Sequence, residues 1–295
     1  IFHAKAVNDL GSGFNLDLIG FHGQTLYHNP KEKVSLQIGN GHLLSQLTKK
    51  KIVYNFRKKD IISGGEGAPL TPIFHKYLIK SKKINLPAGV LNIGGISNFT
   101  VMKDLNNLNI LSRDVGPGNC LIDSWIQKFT NDKFDNEGKV SSRGKVNEVI
   151  LEQALEVHES NFKNQDNISL DTSDFDISFV RGLSLEDGAA TLTSFTARVI
   201  SSNIKNYLKN FNDENINILL CGGGRKNKNL IDLIKFYSNK NLVFVNSEKF
   251  NINGDFIESQ AFAYLAVRSV QSLPISFPNT TGCTSPSTGG EILEP

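Results

Sequence analysis

The sequence is poor in several features that mark particular classes of protein. Its three cysteines, Cys120, Cys221 and Cys283, are an odd number and lie far apart in the chain. This spacing argues against a disulfide framework and against a cysteine-based metal site, and it fits a reduced compartment. No apolar run approaches the length of a membrane span, and nothing resembles a signal peptide. The sequence therefore gives no sign of a membrane partner.

An excess of charge of one sign is also lacking. The 32 basic and 29 acidic residues leave a net charge of +3, and most of the basic residues are lysines scattered along the chain. A nucleic-acid groove needs a dense basic run interleaved with aromatic residues, and no segment has this pattern. We therefore expect no nucleic-acid partner. A composition with 39% hydrophobic and 21% charged residues is ordinary for a globular protein.

Short apolar strands and amphipathic helices alternate along the chain, which predicts an α/β architecture. The predicted strands cover residues 17–21, 34–38, 51–56, 90–93, 97–102, 110–112, 216–220 and 242–245. The predicted helices cover residues 41–48, 121–129, 146–159, a long stretch opening at 187, 229–237 and 257–273. The first third shows no long helical pattern apart from a short Lys-rich stretch, and the tail from Pro274 is rich in turn residues.

The segment Arg113–Asn119 places one carboxylate, Asp114, beside a turn with two glycines, Gly116 and Gly118. Glycine lets the backbone approach a ligand closely, and the first amides of a following helix favour an anion. Asp114 is therefore a candidate base next to a phosphate. The alternative is that Asp114 caps the helix or braces the loop.

Another glycine turn, Gly222-Gly223-Gly224, follows the apolar strand at 216–220 and resembles a nucleotide turn. It does not match a dinucleotide fingerprint, because Asn227 stands where the last glycine would be and Asn246 stands where an acidic residue would be. A generic tight turn is the alternative. Gly94-Gly95 also follows a strand, so in chain order the first turn is Gly94-Gly95, the second is Gly116-x-Gly118 and the third is Gly222-Gly223-Gly224. Three such turns can close around a nucleotide in a cleft, as in the sugar-kinase, actin and heat-shock ATPase superfamily.

A set of motifs in a fixed order makes this resemblance specific. The set consists of Gly20-Phe21-His22-Gly23-Gln24-Thr25, Asn92-Ile93-Gly94-Gly95-Ile96-Ser97-Asn98, Asp114-Val115-Gly116-Pro117-Gly118-Asn119, Asp135-x-x-Gly138, Gly188-Ala189-Ala190-Thr191-Leu192-Thr193-x-Phe195-Thr196-Ala197, Cys221-Gly222-Gly223-Gly224-Arg225-x-Asn227 and Glu258-x-x-Ala261-Phe262-Ala263. Together they resemble the anhydro-N-acetylmuramic acid kinases, from His22 to Gly290.

The resemblance implies a cytoplasmic enzyme of peptidoglycan recycling that uses ATP, with Mg²⁺ expected on the phosphates. Such an enzyme converts 1,6-anhydro-N-acetylmuramic acid and water to N-acetylmuramic acid 6-phosphate. By similarity Asp114 is the base that activates the water, and Glu258, His22 and Asn119 contact the sugar. The implied nucleotide-binding residues are Gly94, Gly95, Gly116, Gly118, Gly222, Gly223, Gly224 and Asn227. No protein ligand for a metal is predicted, and the partners are small molecules, with a homodimer possible.

The implied fold is a two-lobed, actin-like ATPase with mixed sheets and the nucleotide in the interdomain cleft. We expect residues 1–112 to form the remainder of the N-terminal lobe with the central strands, and residues 113–295 to form the C-terminal lobe with the adenosine turn. The family opens with a Gly-Thr-Ser-x-Asp-Gly phosphate loop that this sequence lacks, so we expect a fragment without its first several tens of residues. Ser169–Phe175 also replaces a Pro-Pro-Lys-Ser-Thr-Gly-Arg stretch that many members carry.

Two alternatives remain open on the sequence alone. The first is another small-molecule kinase of the same superfamily, which would phosphorylate without adding water. The second is a non-catalytic nucleotide-binding module, which the missing first phosphate loop favours.

Overall fold

A computed structural model describes residues 1–11, 13–162, 169–209, 211 and 215–295. The chain divides into two compact units, each built from more than one segment. Unit 1 comprises Ile1–Ser81, Leu105–Ser112 and Phe256–Pro295, and unit 2 comprises Lys82–Asp104 and Arg113–Asp255. The domain boundary after residue 112 that the sequence suggests stays a prediction.

The structure contains strands and helices in alternation. The strands are β1 (Leu18–Gly20), β2 (Gln24–Asn29), β3 (Val34–Ile38), β4 (Lys51–Tyr54), β5 (Ala88–Ile93), β6 (Ile96–Met102), β7 (Ile110–Pro117), β8 (Ile216–Cys221), β9 (Leu242–Asn246) and β10 (Glu291–Leu293). The helices are α1 (Phe2–Gly11), α2 (Gly41–Thr48), α3 (Lys58–Ile62), α4 (Pro72–Ser81), α5 (Cys120–Phe129), α6 (Glu148–Phe162), α7 (Leu185–Tyr207), α8 (Lys228–Tyr237), α9 (Ile257–Val270) and α10 (Pro278–Thr281).

Unit 1 holds a three-stranded mixed sheet in the order β1-β4-β10. β1 pairs parallel with β4, and β10 pairs antiparallel with β4 through the register Ile292↔Val53. Val53 and its neighbour Ile52 are fully buried in the centre of this sheet. β2 and β3 form a separate antiparallel hairpin.

Unit 2 is built around a five-stranded mixed sheet in the order β7-β6-β5-β8-β9. The central strand β5 pairs antiparallel with β6 and parallel with β8, which in turn pairs parallel with β9. Val90 and Leu91 of β5 and Ile218 of β8 are fully buried, as a sheet covered on both faces requires. Both sheets contain parallel and antiparallel pairs, so the predicted α/β class with mixed sheets is confirmed.

Helix α7 is the longest helix of unit 2, and its start is well defined. The hydroxyl of Ser184 accepts a hydrogen bond from the Asp187 amide at 3.1 Å, which satisfies one of the free amides of the first turn. Trp125 of α5 donates its indole N–H to the carbonyl of Leu185 at 2.9 Å. A Cβ on Gly188 would lie 2.2 Å from the Trp125 ring, so a glycine is needed for α5 and α7 to pack this closely.

The strands and helices predicted from the sequence are present, with ends that shift by a few residues. The prediction for the helix at 41–48 matches α2 at both ends. The elements that were not predicted are α1, β2, α3, α4, α10 and β10. In α1 only Ala4 is buried, and its large apolar residues Phe2 and Leu10 are exposed. β10 has three residues and becomes a strand by pairing with β4, which local sequence does not report.

Among the described residues, no helix is both long enough and apolar enough to cross a lipid bilayer.

Candidate functional site

Asp114 lies within β7 and is half-buried. Its Oδ2 accepts a hydrogen bond from the main-chain N–H of Leu170 at 2.7 Å. The neighbouring carbonyl of Val115 accepts a hydrogen bond from Nδ2 of Asn203, on α7, at 3.1 Å. The position before α5 that a helix cap takes belongs to Asn119, so the alternative in which Asp114 caps this helix is wrong. The carboxylate does brace another segment, through Leu170.

A cavity of about 850 Å³ opens beside Asp114 within unit 2. Its walls come mainly from α6 and α7 together with the end of β7. Arg113 lies over the ring of Tyr207 at 5.7 Å, and burial raises the pKa of Tyr207 to about 12. Burial also lowers the pKa of His158, another lining residue, to about 4. At neutral pH the cavity therefore presents a protonated phenol and a neutral imidazole beside the carboxylate.

Two of the three glycine turns are joined directly by backbone hydrogen bonds. The amide of Gly118 donates to the carbonyl of Gly95 at 2.9 Å, and the amide of Asn119 donates to the carbonyl of Gly94 at 2.8 Å. Cys120, the first residue of α5, donates to Gly95 at 3.2 Å. These first amides of the helix, expected from the sequence to receive an anion, are bonded to carbonyls in the structure. An anion here would have to displace those bonds or use other donors.

The side chain of Asn119 reinforces the same junction. Its Nδ2 donates to the carbonyl of Gly94 at 3.0 Å and to that of Ile93 at 3.3 Å. Its Oδ1 would lie 3.0 Å from a Cβ on Gly224, so the third glycine turn packs against the same residue. All three turns therefore meet at Asn119. Its assignment to the sugar stays a prediction.

The predicted nucleotide glycines fall into two groups by the space around them. Gly118 and Gly224 are buried, and a Cβ would lie 2.2 Å from Gly94 O in the first case and 2.2 Å from Ile93 Cγ2 in the second. Gly116 and Gly222 have positive φ of 138° and 75°, and a Cβ on either would lie under 3.0 Å from another atom. These four glycines are required by packing or by backbone conformation.

Gly94, Gly95 and Gly223 are different, because each has room for a side chain. The nearest atom to an added Cβ lies 3.5 Å away at Gly94, 3.7 Å at Gly95 and 4.0 Å at Gly223. None of the three has the left-handed backbone that favours glycine, and Gly95 and Gly223 are exposed. The fold does not explain why these positions lack a side chain, whereas close approach of a ligand to the backbone would explain it.

Asn227 is buried, and its side chain caps α8. Its Oδ1 accepts a hydrogen bond from the Leu230 amide at 3.0 Å. The residue was assigned to the adenosine from the sequence, and that role stays a prediction. In the structure its side chain sets the start of the helix that follows the third glycine turn.

Arg225 is a residue of the third turn whose role sequence reasoning missed. Its side chain is 4% exposed, and its guanidinium donates to Glu248, to Asp255 and to the carbonyl of Gly222 at distances of 2.5 to 2.8 Å. Hydrogen bonds from Arg225 and Lys226 lower the pKa of Asp255 to about 2. Arg225 thus ties the glycine turn to two later segments. The signal was present, since Arg225 stands inside the motif, but its two partners lie more than twenty residues on.

In unit 1 the ring nitrogens of His22 both have partners. Nδ1 bonds the carbonyl of Gly23 at 2.8 Å, and Nε2 accepts a hydrogen bond from Arg57 Nε at 3.0 Å. Burial, followed by the charge of Arg57, lowers the pKa of His22 to about 4, so the imidazole is neutral. The ring packs against Phe262 at a centroid distance of 4.3 Å. His22 therefore orients Arg57, and its assignment to the sugar stays a prediction.

The glycine-rich loop Gly64–Leu70, also in unit 1, is fastened at its centre. The Gly67 amide donates to Asp60 Oδ2 at 2.7 Å, and the Gly67 carbonyl accepts from Arg57 Nη1 at 2.7 Å. The buried carboxylate of Asp60 also accepts from the hydroxyl of Thr281 at 2.7 Å. Glu258, the other predicted sugar residue of this unit, lies exposed in the first turn of α9. Its assignment to the sugar likewise stays a prediction.

The model of the family described as anhydro-N-acetylmuramic acid kinase matches residues 6–295 of this chain. The chain belongs to the anhydro-N-acetylmuramic acid kinase family. A protein of that name from Pelagibacter ubique (strain HTCC1062) is 50% identical over 296 residues, covering 100% of this chain and 79% of the relative. Another of the same name, from Zymomonas mobilis subsp. mobilis, is 41% identical over 98% of this chain and 78% of its own length. The resemblance expected from the motifs is confirmed.

A solved structure also aligns with this member of the family, at low similarity. It is an activator of the 2-hydroxyisocaproyl-CoA dehydratase from Clostridium difficile with bound ADPNP. The alignment has a TM-score of 0.43 and 13% identity, over 81% of this chain and 86% of that one. A similarity of this size supports no inference about the fold or the function.

The two groups of glycines predict opposite effects of alanine on stability. Gly118→Ala should lower the free energy of unfolding by about 1–3 kcal/mol, because its Cβ overlaps a backbone carbonyl that cannot move aside cheaply. Gly95→Ala is the matched control in the partner turn, and it should change stability by less than about 1 kcal/mol. Urea denaturation measures both. A Gly95→Ala variant less stable than Gly118→Ala would contradict this division.

The burial of Arg225 predicts that its replacement lowers stability more than replacement of its neighbour Lys226, which pairs with the same carboxylate. Arg225→Met removes a buried guanidinium with three sets of partners and should lower the free energy of unfolding by about 1–3 kcal/mol. Lys226→Met removes a side chain that is 57% exposed and should cost less than about 1 kcal/mol. Urea denaturation at pH 7 compares them, and equal losses would show that Arg225 is no more than a surface partner of Asp255.

The lowered pKa of His22 predicts a dependence of stability on pH. The unfolded chain takes up a proton near pH 6.5, whereas folded His22 does so only near pH 4. The stabilisation is therefore fully present above pH 6.5 and is lost as pH falls from 6.5 to 4, by at most about 1.4 kcal/mol per pH unit. Chemical denaturation at pH 7.5 and at pH 5 should show a smaller decline for His22→Gln than for the unchanged protein. An identical decline would mean that His22 is not held neutral.

Proposed function

We propose that this protein is an ATP-dependent kinase that converts 1,6-anhydro-N-acetylmuramic acid and water to N-acetylmuramic acid 6-phosphate and ADP. Water adds to the anomeric carbon, the bond from that carbon to O6 breaks, and O6 takes the γ-phosphoryl group of ATP. The observation that carries the proposal is the family match over residues 6–295. Use of ATP is consistent with action in the cytoplasm, as part of peptidoglycan recycling.

The geometry of unit 2 supports a base role for Asp114. Water is a poor nucleophile, and a carboxylate within hydrogen-bond reach raises its reactivity. Asp114 lies on the strand that leads into the second glycine turn, at the wall of a cavity of about 850 Å³. A base anchored to the same strand as the turn keeps a constant position relative to it, which is what coupling two reactions requires.

The glycines that have room for a side chain support binding of the nucleotide. Gly94, Gly95 and Gly223 have room at the Cβ position that the fold itself does not use. In this proposal the triphosphate or the adenosine comes within contact distance of these three. Gly116, Gly118, Gly222, Gly224 and Asn227 then contribute by fixing the shape of the turns. Asn119, His22 and Glu258 are proposed sugar residues.

Mg²⁺ is proposed to arrive with the ATP phosphates. Among the described residues, no group of three or more carboxylate, histidine or cysteine side chains is gathered into a metal site. Mg²⁺ keeps several waters and needs few protein ligands when phosphates bind it, so the ATP phosphates would supply most of its other ligands. When bound, the ion would neutralise charge on the transferring phosphoryl group. A homodimer remains a prediction.

The experiment that tests the activity uses the full-length protein with ATP, Mg²⁺ and 1,6-anhydro-N-acetylmuramic acid. Mass spectrometry should find N-acetylmuramic acid 6-phosphate and ADP in equal amounts. Formation of ADP without sugar phosphate, or no reaction, would defeat the proposal.

The base role predicts the behaviour of Asp114→Asn. The amide keeps an oxygen for the Leu170 N–H but takes no proton from water, so turnover should fall at least about 100-fold. Affinity for ATP, measured by calorimetry, should be unchanged, because the glycine turns are intact. Turnover close to that of the unchanged enzyme would remove Asp114 from this role.

A further inference from the structure

One donor to Asp114 is a main-chain group. The N–H of Leu170 lies 2.7 Å from Asp114 Oδ2, a normal length for a charge-assisted hydrogen bond. Both residues are half-buried. The bond engages one of the two carboxylate oxygens. A donor on the main chain has no rotamers, so its direction is set by the backbone of the segment alone.

The residues after Leu170 fix that backbone. Asp171 accepts a hydrogen bond from the Ser173 amide at 2.9 Å, and Asp174 accepts one from the Asp171 amide at 2.7 Å. This reciprocal capping box closes the short 3₁₀ turn Thr172–Asp174 immediately beyond the donor. Leu170 is thus followed by a turn whose side chains and main chain hold each other in one conformation.

An aromatic contact secures the far end of this turn. The ring of Phe175 stacks on His158 of α6, with centroids 6.0 Å apart and planes at 24°. His158 also meets Phe195 of α7 edge-on at 5.7 Å. The segment that supplies the donor is therefore anchored to α6, and His158 links this contact to α7.

We infer that the main-chain N–H of Leu170 is a positioning group for the base of the reaction. The inference rests on the proposed function, since it needs Asp114 to act as that base. A hydrogen bond to a carboxylate favours its ionised form, which is the form that accepts a proton from water. The same bond restrains the orientation of the carboxylate through Oδ2.

The test replaces one atom in the full-length enzyme. Incorporating the α-hydroxy analogue of leucine at position 170 turns the amide N–H into an ester oxygen and leaves the side chain as it is. The apparent pKa of the acid limb, in the profile of kcat/KM against pH, should then rise by about one pH unit. The reason is that the ionised carboxylate has lost a hydrogen-bond donor. KM for ATP should not change.

Two controls separate positioning from a general effect on the fold. Leu170→Ala keeps the N–H and should leave the acid limb in place. An ester at Phe175 removes a different main-chain bond of the same turn, the one from its amide to the Thr172 carbonyl at 3.3 Å, and should also leave the limb in place.

The outcomes are distinct. A shift confined to the ester at 170 supports the inference. An unshifted acid limb in that variant overturns it, whether or not kcat falls, and so does an equal shift in all three variants. If the unchanged full-length enzyme makes no sugar phosphate, the proposed function fails instead.

Discussion

The close approach of three glycine turns within unit 2 is the constraint on which the candidate site depends. The backbone of the turn before α5 lies so near the first turn that Gly118 has no space for a Cβ. Asn119 completes the junction with two side-chain hydrogen bonds to carbonyls. Every residue assigned to the nucleotide lies in or next to one of these turns, so their close approach sets the relative positions of those residues.

This junction also defines where chemistry can take place. Asp114 belongs to the same strand as Gly116, so its carboxylate has a fixed distance from the turns along β7. Arg225 holds the third turn through Glu248 and Asp255, which lie after β9. Glycines with no room for a side chain allow the turns to pack closely. Glycines with room for one leave space beside the backbone for a ligand. The same residue type thus serves two purposes that only the packing distinguishes.

The sequence predicted much of this architecture because the periodicities were strong. β8 is apolar except at Asn217, and α2 begins at an N-cap asparagine, Asn40, so both were found near their ends. The seven ordered motifs also indicated the family, since that order is unlikely to arise by chance. What the sequence could not supply were contacts between distant residues. The bond from Leu170 to Asp114 spans 56 positions, and that from Arg225 to Asp255 spans 30. Neither leaves a local pattern.

The central claim is that one ionised carboxylate makes water open a cyclic acetal while the released oxygen takes a phosphoryl group. Turnover of 1,6-anhydro-N-acetylmuramic acid in ¹⁸O-labelled water, analysed promptly by mass spectrometry, tests it most directly. N-acetylmuramic acid 6-phosphate incubated alone for the same time corrects for exchange of the anomeric oxygen with solvent. The account predicts one labelled oxygen at the anomeric carbon in each product molecule, well above that control. Product that carries no more label than the control would contradict it.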